Sequence, residues 1–388
     1  MSSGQPRILL IRLSAIGDVV RCIPAFEALR HAYPEARIDW AVERKSAAVV
    51  EGLPGLNTVW VYERSRDFVL ACREFLRLCR EVRRQKYDYV VDFHGLLKSG
   101  VLALASGAPE RIGFARPRAQ EGSHLCANRR VSVPLNELNR VEENLRLSDM
   151  LAPRPQEFNV SIAVPADTQT EIDAFLERNV DGSRKLVAMH APVERPEKQW
   201  PLAHFAELAD ELMDDGRFSV LLTWGPGQYH VVEDIMRQMR RRPAVAPETP
   251  TLKHVAWLMK RADLYFGGDT GPMHIAWNMG TPVVAVFGGT NPAQHAPPGQ
   301  QRIILYEAEP AARPGPPARA AARLEAITPG VAYEACVRLA MEGPVDAPSL
   351  RDEDVRDSAL PPGDDARGGA GGLQQQTHEI ARQTQGEQ

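Results

Sequence analysis

IRLSAIGDVV, residues 11–20, joins an apolar run to a helical pattern through a short loop, which is the first strand–loop–helix unit of an α/β fold. In many nucleotide-binding proteins the loop after the first strand is rich in glycine, which lets a phosphate lie against the backbone. This loop has a single glycine, Gly17, followed by a carboxylate, Asp18, which would repel a phosphate. Asp18 can cap the first helix or act on a ligand, and the loop alone leaves both roles open.

Strand-like and helix-like patterns alternate outward from this loop. In the first half, strands are predicted at residues 8–13, 38–42, 58–61 and 89–92, and helices at 25–32, 68–84 and 97–104. In the second half, strands are predicted at 185–190, 218–223, 264–267 and 282–287, and helices at 202–214, 231–240, 252–261, 273–278 and 330–341. Short apolar runs that alternate with amphipathic segments predict parallel sheets covered on both faces. The sequence therefore predicts an α/β protein with two doubly wound domains and a ligand cleft between them.

The two series are joined by a helical pattern and a proline-containing connection within residues 140–180. We predict one domain over residues 1–165 and a second over residues 166–342, with an irregular linker at 308–323. From residue 343 onward the chain has no aromatic residue and is rich in Gly, Asp, Gln and Pro. Such a segment cannot bury enough apolar surface to offset chain entropy, so we expect residues 343–388 to be disordered.

The composition is typical of a soluble globular protein, with 44% hydrophobic and 25% charged residues. No apolar stretch approaches the roughly 18 residues that a membrane span requires. The first residues also lack a signal-peptide pattern, so we expect a cytoplasmic protein. The five cysteines form no C-x-x-C pair, which favours buried free thiols over a disulfide or a zinc site. Residues 1–150 hold 23 Lys and Arg against 18 Asp and Glu, which favours an anionic partner, although solvated helix faces are often as basic.

The strongest local motif is FGGDTGPMHIAWNMGTPVVAVFGG, residues 266–289. A strand end runs into two glycines, then Asp269 and Thr270 at a helix N-cap, then Gly271 and a proline in the first turn. Small residues at a helix start expose backbone N–H groups and the positive end of the dipole, which suits an anion. The alternative is that Asp269 or Thr270 only caps the helix.

A second polar loop, HAPVERPEKQWP at residues 190–201, follows another strand of the same half. It lies at the carboxyl edge of the predicted sheet, where open α/β folds bind ligands. Lys198 is placed to reach over this edge as a point charge for phosphate, or is an exposed loop lysine. His190 and His274 are candidates for catalysis, although a single histidine is more often a packing residue.

Cations also follow strands of the first half. DFHGLLKSG, residues 92–100, offers Lys98, and ERIGFARPR, residues 110–118, offers Arg118. These are solvated charges by default, but a cluster near the cleft would suit a polyanionic acceptor. The sequence has no H-x-x-x-H pair, no paired aspartates for magnesium, no G-x-S-x-G and no P-loop.

Four ordered motifs resemble glycosyltransferase family 9, the ADP-heptose:lipopolysaccharide heptosyltransferases. They are SAIGDVVRCIPAFEALR, DFHGLLKSG, HAPVERPEKQWP and GGDTGPMHIAWNMGTP, and the resemblance covers roughly residues 7–300. The spacing of HA, R and K-x-W-P in the third motif is most similar to that of heptosyltransferase I, which adds the first inner-core heptose.

The resemblance implies a GT-B architecture, in which two Rossmann-like domains face a central cleft. The N-terminal domain would bind the acceptor and the C-terminal domain the nucleotide sugar. The implied reaction is an inverting transfer of heptose from ADP-L-glycero-D-manno-heptose to the Kdo/heptose inner core of lipopolysaccharide on lipid A, with Asp18 as general base. The implied donor-site residues are Lys198, Asp269, Thr270, Gly271, His274 and His190. The implied acceptor-site residues are Arg12, Ser14, Gly17, Lys98 and Arg118.

The same resemblance implies no metal ion, no cofactor and no nucleic-acid partner, with peripheral contact at the cytoplasmic face of the inner membrane. One departure is that Pro192 and Val193 stand where heptosyltransferases of this type often have hydroxyl residues. Another sugar nucleotide is therefore an alternative, as is a sugar-nucleotide-binding protein without catalysis. A dinucleotide-dependent oxidoreductase would need G-x-G-x-x-G after the first strand, and SAIGDV lacks it.

Overall fold

The computed structural model describes residues 5–307 and 317–343. The strands of the first half are β1 (Arg7–Ile11), β2 (Arg37–Glu43), β3 (Thr58–Tyr62), β4 (Tyr89–Asp92), β5 (Glu110–Phe114) and β6 (Arg129–Val131). Its helices are α1 (Ile16–Val20), α2 (Ile23–Ala32), α3 (Arg44–Val50), α4 (Phe68–Arg84), α5 (Leu97–Ser106) and α6 (Arg140–Ser148), with a 3₁₀ turn at Ser123–Leu125.

The second half repeats this alternation. Its strands are β7 (Lys185–His190), β8 (Phe218–Thr223), β9 (Ala244–Val245), β10 (Leu264–Gly268), β11 (Val283–Phe287) and β12 (Arg302–Tyr306). Its helices are α7 (Ala166–Asn179), α8 (Leu202–Asp215), α9 (Tyr229–Gln238), α10 (Leu252–Arg261), α11 (Gly271–Asn278), α12 (Pro292–His295), α13 (Pro317–Ala326) and α14 (Pro329–Glu342), with a 3₁₀ turn at Pro196–Lys198.

Each half is built on one six-stranded sheet, and all paired strands in both sheets are parallel. The strand order is β3-β2-β1-β4-β5-β6 in the first sheet and β12-β11-β10-β7-β8-β9 in the second. Counted from its own first strand, each sheet has the doubly wound order 3-2-1-4-5-6. The order reverses between β1 and β4 in the first sheet, and between β7 and β10 in the second. Ligands of such sheets bind outside the carboxyl ends of the strands at these two switch points.

Helix ends follow local sequence signals. Asp67 caps α4 by accepting the N–H of Leu70 at 2.9 Å, and Asn139 caps α6 in the same way. Gly107 ends α5 and Gly216 ends α8, both in the left-handed conformation that glycine adopts without strain. These signals fix where each helix starts and stops over its sheet.

A continuous buried cluster runs through both halves. It includes Leu10 and Trp40 from the first sheet and Ala285 and Phe287 from the second. The central strands read as uninterrupted apolar runs, as in the fully buried VVAVF of β11, because helices cover both faces of each sheet. The two halves therefore share apolar packing where they meet.

Most predicted elements are confirmed, and the differences have local causes. β4 has the predicted bounds, whereas β5, β6, β9 and β12 were not predicted. α13 begins inside the stretch expected to be an irregular linker, since ARAAAR is rich in the best helix former. Cys72 is exposed on α4, against the expectation of buried thiols, while Cys22, Cys126 and Cys336 are buried.

The expected linker and the expected disordered tail fall largely outside the residues that the structure describes. Residues 308–316 of the expected linker and residues 344–388 of the expected disordered tail lie outside the described residues. No helix within the described residues is both long enough and apolar enough to cross a membrane.

Candidate active site

Asp18 lies at the switch point of the first sheet, directly after β1. It occupies the first turn of α1, and its Oδ2 accepts the N–H of Ala15, the N-cap residue, at 3.4 Å. Asp18 thus supports the helix start from within the first turn and is not itself the N-cap. Its side chain is 30% exposed, so a ligand can reach the carboxylate.

Two arginines hold the Asp18 carboxylate. Arg12, at the end of β1, contacts Oδ2 at 2.5 Å, and its own Nη1 donates to the carbonyl of Phe93 at 2.7 Å. Arg21, at the end of α1, forms an ion pair with Oδ1. Both guanidinium groups are largely buried, which fixes the carboxylate between them. Arg12 was an implied acceptor-site residue, whereas the pairing of Arg21 was not anticipated.

The charge on Asp18 is stabilised by this pairing. Burial by itself disfavours the charged form, but Arg12 and Arg21 outweigh it and hold the pKa of the carboxyl well below its usual range. Asp18 is therefore ionised near neutral pH. The two arginines are also cations that an anionic acceptor can bind.

The loop of Asp18 packs directly on the corresponding loop of the second sheet, because α1 contacts α11. A Cβ added at Gly17 would lie 2.5 Å from Cδ2 of His274, and one added at Gly271 would lie 3.2 Å from Cγ2 of Ile16. Glycine is required at residue 17 by this close approach. The two switch points therefore face each other across the contact of α1 with α11.

Lys198 and Asp269 form the polar centre of the second switch point. Lys198 Nζ donates to Oδ2 of Asp269 at 2.6 Å and to its carbonyl at 3.2 Å. The hydroxyl of Thr290 donates to the same Oδ2 at 2.8 Å. Burial opposes ionisation of Asp269, but Lys198 outweighs it and lowers the pKa of the carboxyl. Lys198 is thus a held cation at the sheet edge and not a free loop lysine.

Sequence reasoning missed Thr290. The signal for it was present, since the GGT of residues 288–290 follows the end of β11 at the same edge.

The start of α11 presents backbone N–H groups beside this pair. Thr270 is its N-cap, but its hydroxyl makes no capping bond and instead donates to the carbonyl of Gly268 at 3.4 Å. The first-turn N–H groups therefore lack a side-chain cap, which leaves them able to bind an anion. A Cβ at Gly267 would lie 2.7 Å from the carbonyl of His190, so the chain passes through a space with no room for a side chain.

The two predicted histidines are buried and neutral. Burial lowers the pKa of His274 to about 3, with Arg21 acting in the same direction. Burial lowers the pKa of His190 to about 4, and its Nδ1 contacts the Thr223 hydroxyl at 3.0 Å. Neither is poised as an acid near neutral pH, so their proposed contacts with the donor would be made by a neutral ring.

A third histidine, His295, links the two halves and was missed. Its Nδ1 lies 3.0 Å from Nη1 of Arg21, and arginine can only donate, so Nδ1 accepts and the ring proton is on Nε2. Burial lowers the pKa of His295 to about 4, which keeps this acceptor available. Arg21 thus connects Asp18 on the first half to His295 on the second.

The remaining predicted acceptor residues are placed differently. Ser14 is half-buried in the loop that leads to α1, and Gly17 serves the packing against His274. Lys98 pairs with Glu43 at 2.7 Å and lies over the ring of Tyr62.

Arg118 pairs with Glu143 at 2.7 Å and lies over the ring of Phe114. The structure does not bring Lys98 or Arg118 into contact with Asp18, so their acceptor role stays a prediction. In the part of the chain that is described, no group of three or more His, Cys, Asp or Glu could hold a metal ion.

Two doubly wound sheets of the same order, with switch points that face each other, form the GT-B architecture that the resemblance implied. Residues 75–316 match the model of glycosyltransferase family 9 (heptosyltransferase), and the chain belongs to this family. The predicted resemblance and the prediction of a glycosyltransferase are confirmed. The oxidoreductase alternative is set aside.

Individual relatives are distant but cover most of the chain. The chain is 24% identical to the lipopolysaccharide core heptosyltransferase OpsX of Haemophilus influenzae, over 75% of this chain and 81% of that protein. It is 27% identical to lipopolysaccharide heptosyltransferase 1 of Pseudomonas aeruginosa, over 77% of this chain and 83% of that protein. The structure of E. coli heptosyltransferase WaaC with ADP-2-deoxy-2-fluoro heptose is similar in fold, with a TM-score of 0.66 at 21% identity, over 84% of this chain and 98% of that chain.

Proposed function

We propose that the protein transfers heptose from ADP-L-glycero-D-manno-heptose to the Kdo/heptose inner core of lipopolysaccharide, with inversion at the anomeric carbon. The observation that carries the proposal is the contact of the two switch points. It sets a carboxylate, Asp18, opposite a cation, Lys198, and an uncapped helix start at Thr270. The names of the relatives support the substrate class, since they are lipopolysaccharide heptosyltransferases.

The donor diphosphate is assigned to the second sheet. Lys198 supplies a cation, and the backbone N–H groups at the start of α11 supply donors without a side-chain cap. Asp269, which accepts a hydrogen bond from the Thr290 hydroxyl, holds Lys198 at the sheet edge before the donor arrives, which limits the ordering needed on binding. The WaaC structure with an ADP-heptose analogue supports an ADP-linked sugar.

The reaction is a single displacement. The acceptor hydroxyl oxygen forms a bond to the anomeric carbon while the bond from that carbon to the phosphate oxygen breaks. The hydroxyl proton passes to Asp18, and ADP leaves with the negative charge, which Lys198 and the α11 N–H groups stabilise. One displacement inverts the anomeric configuration.

The low pKa of Asp18 is compatible with a general base. An acceptor oxygen becomes strongly acidic once its bond to the anomeric carbon is forming, so a weak base suffices at that stage. Arg12 and Arg21 keep the carboxylate ionised and aimed, and an anionic acceptor would take over part of their charge. That exchange would raise the basicity of Asp18 when the acceptor is in place.

The acceptor carries lipid A, so the enzyme is proposed to work in peripheral contact with the cytoplasmic face of the inner membrane. The described residues supply no membrane-spanning helix. A surface contact is then the way in which the active site meets a lipid-anchored acceptor.

Replacement of Asp18 by Asn tests the base directly. Asp18→Asn keeps the shape of the side chain but cannot take the proton, so kcat should fall by about 10²–10⁴-fold while ADP affinity is unchanged. The measurement is heptose gain on Kdo-lipid A by mass spectrometry, with ADP affinity by calorimetry. The control is Asp234→Asn, which alters an arginine-paired aspartate on α9 and should retain full activity.

Two results would contradict the proposal. If Asp18→Asn transfers heptose at the wild-type rate, Asp18 is not the general base. If it loses ADP binding or fails to fold, Asp18 is a structural residue.

A second candidate function follows from Pro192 and Val193, where donor-contacting hydroxyl residues were expected. If the protein uses another sugar nucleotide and not ADP-heptose, the transferred sugar is not heptose.

A further inference from the structure

Large apolar side chains are exposed on two neighbouring helices of the first half. Phe68 is 80% and Val69 is 72% exposed at the start of α4, and Leu76 follows two turns later. On α5, Leu97, Val101 and Leu104 are exposed at a spacing of four and three residues, which forms a stripe along one side of the helix. We call these six residues the docking face.

The docking face is additional to the packing that holds these helices in place. Leu78 and Val82 of α4 and Leu102 and Ala103 of α5 are buried in one cluster with Leu9 of β1. Both helices therefore lie in the same layer over the first sheet, with their inner sides satisfied. Exposed apolar surface of this extent on a folded protein marks a site of interaction.

The chain around the docking face is strongly basic. Residues 64–86 contain eight Lys and Arg and three Asp and Glu, in a protein of net charge −4. Arg77 pairs with Glu74 at 2.7 Å and with Glu81 at 3.3 Å. Arg73 and Arg80 have no carboxylate partner within the part of the chain that the structure describes. Apolar side chains flanked by unneutralised arginines match the interface of an anionic membrane.

The docking face lies at the edge of the sheet that carries Asp18. Helices α4 and α5 return antiparallel to the strands, so both begin at the carboxyl edge, where β1 ends at the loop of Asp18. Lys98, beside Leu97, pairs with Glu43 at 2.7 Å, and the N–H of Glu43 donates to the carbonyl of Leu13 at 2.8 Å. A chain of two polar contacts thus connects the docking face to the acceptor side of the active site.

We propose that the docking face binds the surface of a lipid bilayer that contains anionic headgroups. The proposal rests on the proposed function, because a lipid-anchored acceptor has to be met at a membrane. A second copy of the chain fits this face less well. A two-fold contact would set residues 64–86, with their eight Lys and Arg and three Asp and Glu, against the same net positive segment of the other copy.

Vesicle binding by the full chain tests the proposal. Wild type should co-sediment with vesicles of phosphatidylcholine and phosphatidylglycerol and bind phosphatidylcholine vesicles weakly. The double variant V69D/V101D should bind the anionic vesicles at least about tenfold more weakly, because each change removes apolar contact and adds a negative charge. The matched control is Val331→Asp, at an exposed valine on α14, and should bind as wild type does.

A charge variant tests the second part of the surface. R73E/R80E should lose the preference for anionic vesicles, whereas the same reversal at Arg237 on α9 should not. Arg73 and Arg80 are both exposed, so R73E/R80E should fold as wild type does. Thermal unfolding followed by circular dichroism checks this.

Several outcomes would overturn the proposal. One is wild type that binds neither vesicle type, and another is V69D/V101D that binds as wild type does. A third is a wild-type dimer in sedimentation velocity that V69D/V101D dissociates, which would make the face an interface between copies.

A transfer assay on a Kdo acceptor without acyl chains separates this proposal from the proposed function. V69D/V101D should transfer to that acceptor at the wild-type rate. Asp18→Asn should fail in transfer but still bind vesicles.

Discussion

Asp18 owes its charge to residues that reach it from different directions. Arg12 comes directly after β1 and Arg21 directly after α1, and both lower the pKa of the Asp18 carboxyl against the effect of burial. A change of activity with pH between about 5 and 8 would therefore come from other groups. The sequence placed Asp18 and Arg12 in one loop, but the link from Arg21 to His295 spans 274 residues and could not be predicted without the fold.

Buried neutral histidines make the protein sensitive to acid. In the unfolded chain a histidine has a pKa of about 6.5, whereas burial lowers the pKa of His190 to about 4 in the folded protein. Above the pKa of the unfolded chain, neither the folded nor the unfolded state binds the proton. Between the folded and the unfolded pKa, only the unfolded state binds it, so the free energy of unfolding falls as the pH falls. His274 and His295 act in the same direction.

Replacement of His190 measures this effect. His190→Gln can still contact the Thr223 hydroxyl but cannot titrate, so it should reduce the slope of unfolding free energy against pH by about 1.4 kcal/mol per pH unit near pH 5. The measurement is urea unfolding between pH 7.5 and 5, with His31→Gln as the control at an exposed histidine. An unchanged slope in His190→Gln would mean that His190 is protonated in the folded protein.

At the scale of elements, the contact of α1 with α11 brings the residues of the candidate active site together. α1 is only one and a half turns long, and its Gly17 lies against His274, which is itself 2% exposed. The sequence predicted both helix starts, because strand, loop and helix signals follow one another at each. It could not predict that they touch, since no pattern in either stretch refers to the other.

Gly17→Ala tests this contact. The added Cβ would lie 2.5 Å from the His274 ring, so the variant should lose about 1–3 kcal/mol of unfolding free energy. Transfer activity should fall with it, because the two switch points are forced apart. Gly330→Ala is the control, since a Cβ there meets nothing within 4 Å. Wild-type stability and activity in Gly17→Ala would show that the close approach is not needed.

Two of the four strands that sequence reasoning missed, β6 and β9, are short, whereas β5 (ERIGF) and β12 (RIILY) have five residues each. β9 has two residues, and β6 has three, of which two are arginines, so neither carries an apolar alternation. Such strands are selected by their neighbour in the sheet and not by their own sequence. The long central strands and the amphipathic helices over them were predictable, because burial on both faces requires continuous apolar runs.

At the scale of the whole molecule, two sheets of one topology supply two unlike sites. The first switch point has a carboxylate between arginines, and the second has a lysine held by an aspartate beside a helix start. The parallel sheets follow from the alternation of strand and helix patterns in the sequence, but the difference between the two sites follows from a few residues at the strand ends. The domain limits at residues 165 and 166 stay a prediction, although α7 begins at Ala166.

Binding of ADP to the second sheet should stabilise the whole chain. At 100 times its dissociation constant, ADP should add about 2.7 kcal/mol to the free energy of unfolding. Lys198→Ala should weaken ADP affinity about ten- to hundredfold, because one charge-assisted contact is lost. Calorimetry and thermal unfolding with ADP measure both effects. Lys185→Ala, which removes an aspartate-paired lysine at the opposite end of β7, is the control and should bind ADP as wild type does.

The result for Lys198→Ala separates two roles. If ADP affinity is unchanged while stability falls, Lys198 only neutralises the buried Asp269 and does not touch the donor.

The exposure of Cys72 has a practical consequence. Of the five cysteines, three are buried and Cys79 is half-buried, so Cys72 is the thiol that a maleimide reagent reaches first. Cys72 follows Val69 by three residues and precedes Leu76 by four, so all three lie on one side of α4. An environment-sensitive fluorophore can therefore be attached to the wild-type chain without an engineered cysteine. Its emission would report immersion of this helix in lipid, and spin-label quenchers at different acyl positions would measure the depth.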